Sequence, residues 1–171
     1  PTTPAPRYRS GRRRPARKTT PGLRALERAA VRCGGGSNHR PRLDGGVLIK
    51  DNHIASWSRQ VGNSSLAAAV RASRTSSPGV SVEVEVDTLD QLRDVLAGEP
   101  DIVLLDNMAP DVLREAVQIR DAAAPGVQLE ASGGVTLATV RAIAETGVER
   151  ISIGGLTHSA PALDFGFDFS Q

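Results

Sequence analysis

From residue 80 onward, apolar runs of strand length alternate with amphipathic stretches at a nearly fixed interval. That rhythm restricts the fold more than any other feature of the chain. The runs are VSVEVEV (80–86), DIVLLDN (101–107), GVQLEAS (126–132) and VERISIGG (148–155), with an earlier short one, VLIK (47–50). Between them lie segments with helix signals. Thr88 caps TLDQLRDVLAG and Gly98 ends it, Asp111 caps a helix from 112 to about 123, and Thr136 opens one through Glu145. Asp106 to Ser132 is 26 residues and Ser132 to Gly154 is 22, so the unit is βα, repeated. Such units build an open doubly wound sheet or a barrel. Polar residues recur at the strand ends (Lys50, Glu85, Asp106, Ser132, Gly154), which favours the barrel, because that rim is where α/β barrels keep their chemistry. Five strands are visible, fewer than the eight of a closed barrel, so the expected fold is α/β, a partial, open TIM-like barrel.

The N-terminal part adds a helix and a tail. PGLRALERAAVR (21–32) puts Leu23, Leu26, Ala30 and Val31 on one face, with Thr20 as N-cap and Pro21 at the first helical position. An Ala-rich segment at 64–74 is a further helix, ended by Pro78-Gly79. Residues 1–16, rich in Pro, Arg and Ser, have no apolar periodicity and read as a disordered segment, native or foreign to the domain that follows at 17–171. Seven of the 21 basic residues fall within 1–18, which contains no acidic residue, so the body of the chain is mildly acidic. That makes nucleic acid an unlikely partner; an arm acting through the tail alone stays open beside a solvated tail or a misplaced start of the reading frame. Aromatic residues at 3% also argue against base-stacking platforms. No apolar run approaches the roughly 20 residues of a membrane span. A single cysteine, Cys33, excludes an internal disulfide and a Cys-rich zinc site, and a reducing cytoplasm is the expected location.

Three groups of residues have the pattern of a site. Ser132-Gly133-Gly134 and Gly154-Gly155 each follow a strand, the latter with Thr157 and His158 just beyond. Glycine turns of this kind let backbone N–H groups approach a phosphate, although two tight turns with no ligand would look the same. Glu85 and Asp106 end neighbouring strands, where paired carboxylates suit Mg²⁺ with a phosphorylated substrate or ribose hydroxyls. Glu83 shares a face with Glu85, so simple solvation of one of the two stays open, and Glu85, nearer the strand end, is preferred for the site. The cations Arg17, Lys18, His39, Arg40 and Lys50 form a set able to hold a dianionic substrate. Lys50 is the one lysine of the body; it sits at a strand end before Asp51-Asn52-His53, a cluster that a satisfied turn would partly explain.

Taken together, RKTTPGLRALERAAVRCGGGSNHR, LIKDNHIA, VEVEVDTLDQL, IVLLDNM, LEASGG and SIGGLTHS resemble the quinolinate phosphoribosyltransferases, in uninterrupted order over roughly residues 17–168. The resemblance implies phosphoribosyl transfer from phosphoribosyl pyrophosphate to quinolinate with decarboxylation, giving nicotinate mononucleotide, pyrophosphate and CO₂ on the route to NAD. It implies that Arg17, Lys18, His39, Arg40 and Lys50 face the quinolinate carboxylates. Glu85 and Asp106 would hold ribose hydroxyls and, indirectly, the Mg²⁺ that accompanies phosphoribosyl pyrophosphate. Ser132, Gly133, Gly134 and Gly154, with His158 nearby, would hold the 5′-phosphate; Lys50, Glu85 and Asp106 are the residues expected to act in catalysis. The family's N-terminal α/β domain is missing from this chain, and the family forms homodimers or higher assemblies. The chain is therefore expected to be the family's C-terminal barrel, active as a transferase or else a truncated, inactive phosphate-binding fragment.

Overall fold

The computed structural model describes residues 12–15, 18–38, 46–62, 65–158, 164 and 166–167. They form one six-stranded, wholly parallel sheet with helices between successive strands. The elements in order are β1 (Arg12–Pro15), α1 (Arg24–Cys33), β2 (Val47–Ile49), α2 (Asp51–Val61), α3 (Leu66–Ser76), β3 (Val82–Val86), α4 (Leu89–Leu96), β4 (Ile102–Asp106), α5 (Pro110–Ala123), β5 (Gln128–Ser132), α6 (Val140–Ala144) and β6 (Arg150–Ile153). A 3₁₀ turn over Gly154–Leu156 follows. The strand order is β1-β6-β5-β4-β3-β2, and among the described residues no ladder joins β1 to β2. The barrel is open, as five visible strands led us to expect.

The two faces of the sheet differ. Val82, Val84, Val86, Val103, Leu105, Leu129, Ala131 and Ile151 point to the helices and form the core with Leu92, Val95, Leu113 and Ile143. Alternation along a strand sends the intervening residues to the other face. Those are Leu48, Glu83, Glu85, Ile102, Leu104, Asp106, Glu130, Ser132, Arg150 and Ser152. Glu83, Ile102, Leu104, Glu130 and Ser152 are buried although they lie outside the helix-facing core, as residues inside a curled sheet are.

Several expectations change in detail. The segment expected to be disordered over 1–16 contains β1, paired in parallel with β6 from Arg12↔Arg150 to Pro15↔Ile153. Backbone pairing at a sheet edge needs no apolar pattern, and Pro is tolerated on an edge strand, so composition was a poor guide there. The remaining residues of 1–16 lie outside the described residues. Helix α1 begins later than Thr20-Pro21 suggested: Leu23 N–H donates to Thr20 O (3.0 Å), and Gly22 turns at φ +80°. Helix α5 starts at Pro110 with Asp111 in its first turn instead of at the cap. Helix α6 is shorter than 136–145, because the Thr136 and Thr139 hydroxyls bond each other and nearby backbone, closing a separate turn. Helix α2 was not anticipated at all. Near the C-terminal end of the sequence, Phe167 is described and exposed, while Leu163, Phe165 and Phe169 lie outside the described residues.

Candidate functional site

Parallel strands end side by side, so their last residues form a row. Asp106 closes β4 directly opposite Ser132, which closes β5. Glu85 lies on β3, in register with Leu104 of β4. Lys50 follows β2 and stands on the same side of the sheet as Leu48 and Glu85, and its ammonium forms an ion pair with the Glu85 carboxylate. The side chains of Lys50 and Glu85 are 43% and 19% exposed, so the pair faces an open mouth with its carboxylate partly sunk in the rim. Lys50 thus has a partner within the protein, the barrel carboxylate Glu85, beside the substrate carboxylate that the resemblance implies for it.

The KDNH cluster is the opening of α2. Lys50 occupies the N-cap position, and its backbone N–H donates to His53 Nδ1 (3.1 Å), while Asn52 N–H donates to Asp51 Oδ1 (2.7 Å). The exposed His53 ring thereby fixes where the helix starts and where the lysine side chain leaves the backbone.

Asn107 organises the middle of the rim, and the sequence reading passed over it. It sits in the left-handed region (φ +54°), donates its backbone N–H to Ser132 O (2.9 Å) and its side-chain amide to Asp106 Oδ2 (2.8 Å). Asn is one of the few residues that adopt this conformation readily, so Asp-Asn after a buried strand was the available signal. The loop presses on Gly133, whose φ is +87°. A Cβ there would lie 2.1 Å from Asn107 Oδ1 and 2.9 Å from its backbone nitrogen. Only glycine fits.

Gly154 is crowded for another reason. His158 folds back over the 3₁₀ turn, and a Cβ on Gly154 would meet its Nε2 at 2.3 Å. The His158 and Thr157 N–H groups both donate to Gly154 O (3.2 and 3.0 Å). Thr157 Oγ1 donates to the carbonyl of Lys18 (2.6 Å), which ties the backbone shortly after β1 to this turn. Lys18 is exposed there. Arg17, His39 and Arg40 lie outside the described residues.

The face leading to the rim holds more charge than expected. Glu83 is buried instead of solvated, with 7% of its surface accessible. Glu130 is fully buried, and Ser152 Oγ donates to its Oε1 (2.7 Å). A strand written VEVEV or QLEAS shows such a face only if one assumes that both sides are covered. Among the described residues no three His, Cys, Asp or Glu side chains gather as a metal-ligating group. Glu85 and Asp106, carboxylates on adjacent strands with Glu85 paired to Lys50, are the described residues that could take part in holding a metal ion. A groove of about 370 Å³ between Val47, Ile54, Trp57 and Ser73 opens between β2, α2 and α3, on the helix side of the sheet. It contains neither carboxylate of the rim and is not the site.

The C-terminal domain model of the quinolinate phosphoribosyl transferase family matches residues 7–168, a span that begins ahead of Arg17. The nicotinate-nucleotide pyrophosphorylase [carboxylating] of Mycobacterium leprae is 50% identical over 155 residues, which are 91% of this chain and 52% of that protein. The human protein of the same name is 39% identical over 150 residues, 87% of this chain and 48% of that one. Among solved structures, the nicotinate-nucleotide pyrophosphorylase from Francisella tularensis superimposes with a TM-score of 0.74 at 42% identity, covering 85% of this chain and 49% of that one. The chain spans about half the length of these relatives. With an open parallel barrel, a charged C-terminal rim and a family match over nearly the whole sequence, this chain belongs to the quinolinate phosphoribosyl transferase family, as its C-terminal domain.

Proposed function

We propose that this domain transfers the phosphoribosyl group of phosphoribosyl pyrophosphate to quinolinate, releasing pyrophosphate and then CO₂ to leave nicotinate mononucleotide. One observation supports this reading above the others: the Lys50–Glu85 pair, the adjacent Asp106 and Ser132, and two glycine turns all lie along one strand-end rim. The relatives named above carry the matching activity in their names.

The chemistry needs three subsites. A dianionic pyridine dicarboxylate asks for cations, and we assign Lys50, with Lys18, Arg17, His39 and Arg40, to its carboxylates. Lys50 must then exchange Glu85 for substrate, which frees the Glu85 carboxylate as the ribose arrives. Glu85 and Asp106 would accept from ribose hydroxyls and, as negative charges, stabilise the ring carbon that becomes oxocarbenium-like when pyrophosphate departs. Asn107 holds the Asp106 carboxylate in place for this. Mg²⁺ carried by phosphoribosyl pyrophosphate would stabilise the charge of the leaving group. Ser132, Gly133, Gly134 and Gly154, with His158, would hold the 5′-phosphate through backbone N–H groups. The pyridine nitrogen forms the new bond to the ribosyl carbon as the carbon–oxygen bond to pyrophosphate breaks. The neighbouring carboxylate then leaves as CO₂, its electron pair stays on the ring carbon stabilised by the adjacent cationic nitrogen, and a proton from water completes nicotinate mononucleotide. Positioning dominates, since no side chain forms a covalent intermediate. We further assign the domain to a homodimer or larger assembly, as the resemblance implies, and to the cytoplasm, a location compatible with a single, free Cys33.

The test combines the chain with Mg²⁺, quinolinate and phosphoribosyl pyrophosphate, follows nicotinate mononucleotide by chromatography, and titrates each substrate by calorimetry. Product formation is the expected result. Binding without turnover would favour the second reading, a phosphate-binding barrel without catalysis, which the half-length span of the relatives motivates. A folded chain with neither binding nor turnover would overturn both.

A further inference from the structure

We propose that Glu130 and Ser152 are a positioning pair that sets the spacing of the two glycine turns, and so the width of the phosphate subsite between them. The inference rests on the phosphate assignment made above and adds two residues that touch no substrate.

The backbone ladder between β5 and β6 covers only Glu130↔Arg150 and Ala131↔Ile151. On its other side β5 stays paired one residue further, through Asp106↔Ser132. Likewise β6 stays paired with β1 through Pro15↔Ile153. The two strands therefore lose their mutual backbone bonds just before Ser132-Gly133-Gly134 and Gly154-Gly155, while each is still held by its outer neighbour. Without another link, the gap between the turns would follow β1 and β4 independently. Ser152 Oγ donating to Glu130 Oε1 (2.7 Å) spans that gap. Each partner lies two residues before its turn, on the same side of the sheet as Ser132 and Gly154. Both are buried: Glu130 fully, Ser152 at 6% exposure. A carboxylate–hydroxyl bond shielded from water is stronger and stiffer than a surface one. Arg150, opposite Glu130 in the register, adds positive charge to the same face.

The test compares Ser152→Ala, which removes the donor, with Ser152→Thr, which keeps it, and Glu130→Gln, which keeps an acceptor without the charge. Amide hydrogen exchange at Gly133, Gly134, Gly154 and Gly155 reads the turns without any ligand, and calorimetry with phosphoribosyl pyrophosphate and with quinolinate reads the subsites. In Ser152→Ala we expect about 10-fold faster exchange at the turn glycines, with strand amides of β3 and β4 unchanged, and about 5- to 20-fold weaker phosphoribosyl pyrophosphate binding with quinolinate binding intact. Ser152→Thr should restore both, and Glu130→Gln should fall between. Unchanged exchange and affinity in Ser152→Ala would overturn the pair's role while leaving the phosphate site standing. Equal weakening of both substrates, in step with lost stability, would overturn it too, as a purely structural effect. If the unaltered chain bound no phosphoribosyl pyrophosphate, the phosphate assignment would fail; the exchange data would then still decide whether the pair fixes the turns.

Discussion

The two ends of the parallel strands both carry charged side chains, and they use them in opposite ways. At the N-terminal ends of β3, β4 and β5, the Asp101 and Glu149 carboxylates close on the protein itself. Asp101 accepts from Val82 N–H (2.7 Å) and pairs with Arg74 (3.2 Å), which also donates to Glu99 O (2.6 Å). Glu149 accepts from Leu129 N–H (2.8 Å) and from Arg120 (2.9 Å), and Arg120 reaches Val127 O (2.6 Å). Burial alone would lower the Arg120 pKa, but hydrogen bonds and attraction from Glu149 and Asp121 outweigh it and raise the pKa above its ordinary value. At the C-terminal ends, among the described residues, Glu85 pairs with a lysine that is 43% exposed, Asp106 accepts from the Asn107 amide, and the turns are built on glycines. The same residue types thus serve stability where backbone groups complete them and, where they do not, stand open to the substrate contacts proposed above.

Removing charges from each end should break this contrast in different measurements. The largest effect is expected from Arg120→Ala. It leaves the Glu149 carboxylate and Val127 O without their buried partner and should cost about 3 kcal/mol of stability in denaturant unfolding, with substrate affinity of the folded fraction unchanged. Lys50→Ala should do the reverse. Quinolinate affinity measured by calorimetry should fall about 30-fold or more, roughly 2 kcal/mol, while stability stays close to that of the parent chain. Near-parental quinolinate affinity would show that Lys50 serves Glu85 alone. Gly133→Ala forces a side chain against Asn107 at positive φ and should cost about 1–2 kcal/mol, with phosphoribosyl pyrophosphate binding lost before the fold is. The smallest effect belongs to Arg71→Ala. Arg71 donates to Ala97 O at an exposed site, and its loss should change stability by less than about 0.5 kcal/mol and leave binding untouched.

How much of this was legible beforehand depended on which interactions decided each piece. The helix-facing core could be read, because VEVEV, IVLLD and QLEAS alternate or run apolar as buried strands must. The rim residues could be read too, since a polar residue ending an apolar run has few other places to go. Helix α2 could not, because its opening residues look like a site and its start depends on the ring of His53 reaching back to Lys50. The strand at 12–15 was invisible for a stronger reason: its partner is the open edge of β6, and main-chain bonding leaves no mark on side-chain choice. The Lys50–Glu85 pair joins residues 35 apart and depends on strand register, which no local pattern encodes.

The pairing of β1 with β6 also sets a timetable. Thr157 and Lys18, which meet beside that ladder, are 139 residues apart, so the first strand emerges from the ribosome long before its neighbour has been synthesised. Strands β2 to β6 can assemble in order as they appear, each next to the one before. The N-terminal segment has to wait, and its docking is a late, long-range closure whose entropy must be met all at once. Until then β6 keeps a bare edge, the place where a nascent or heat-stressed chain is most open to pairing with a stranger.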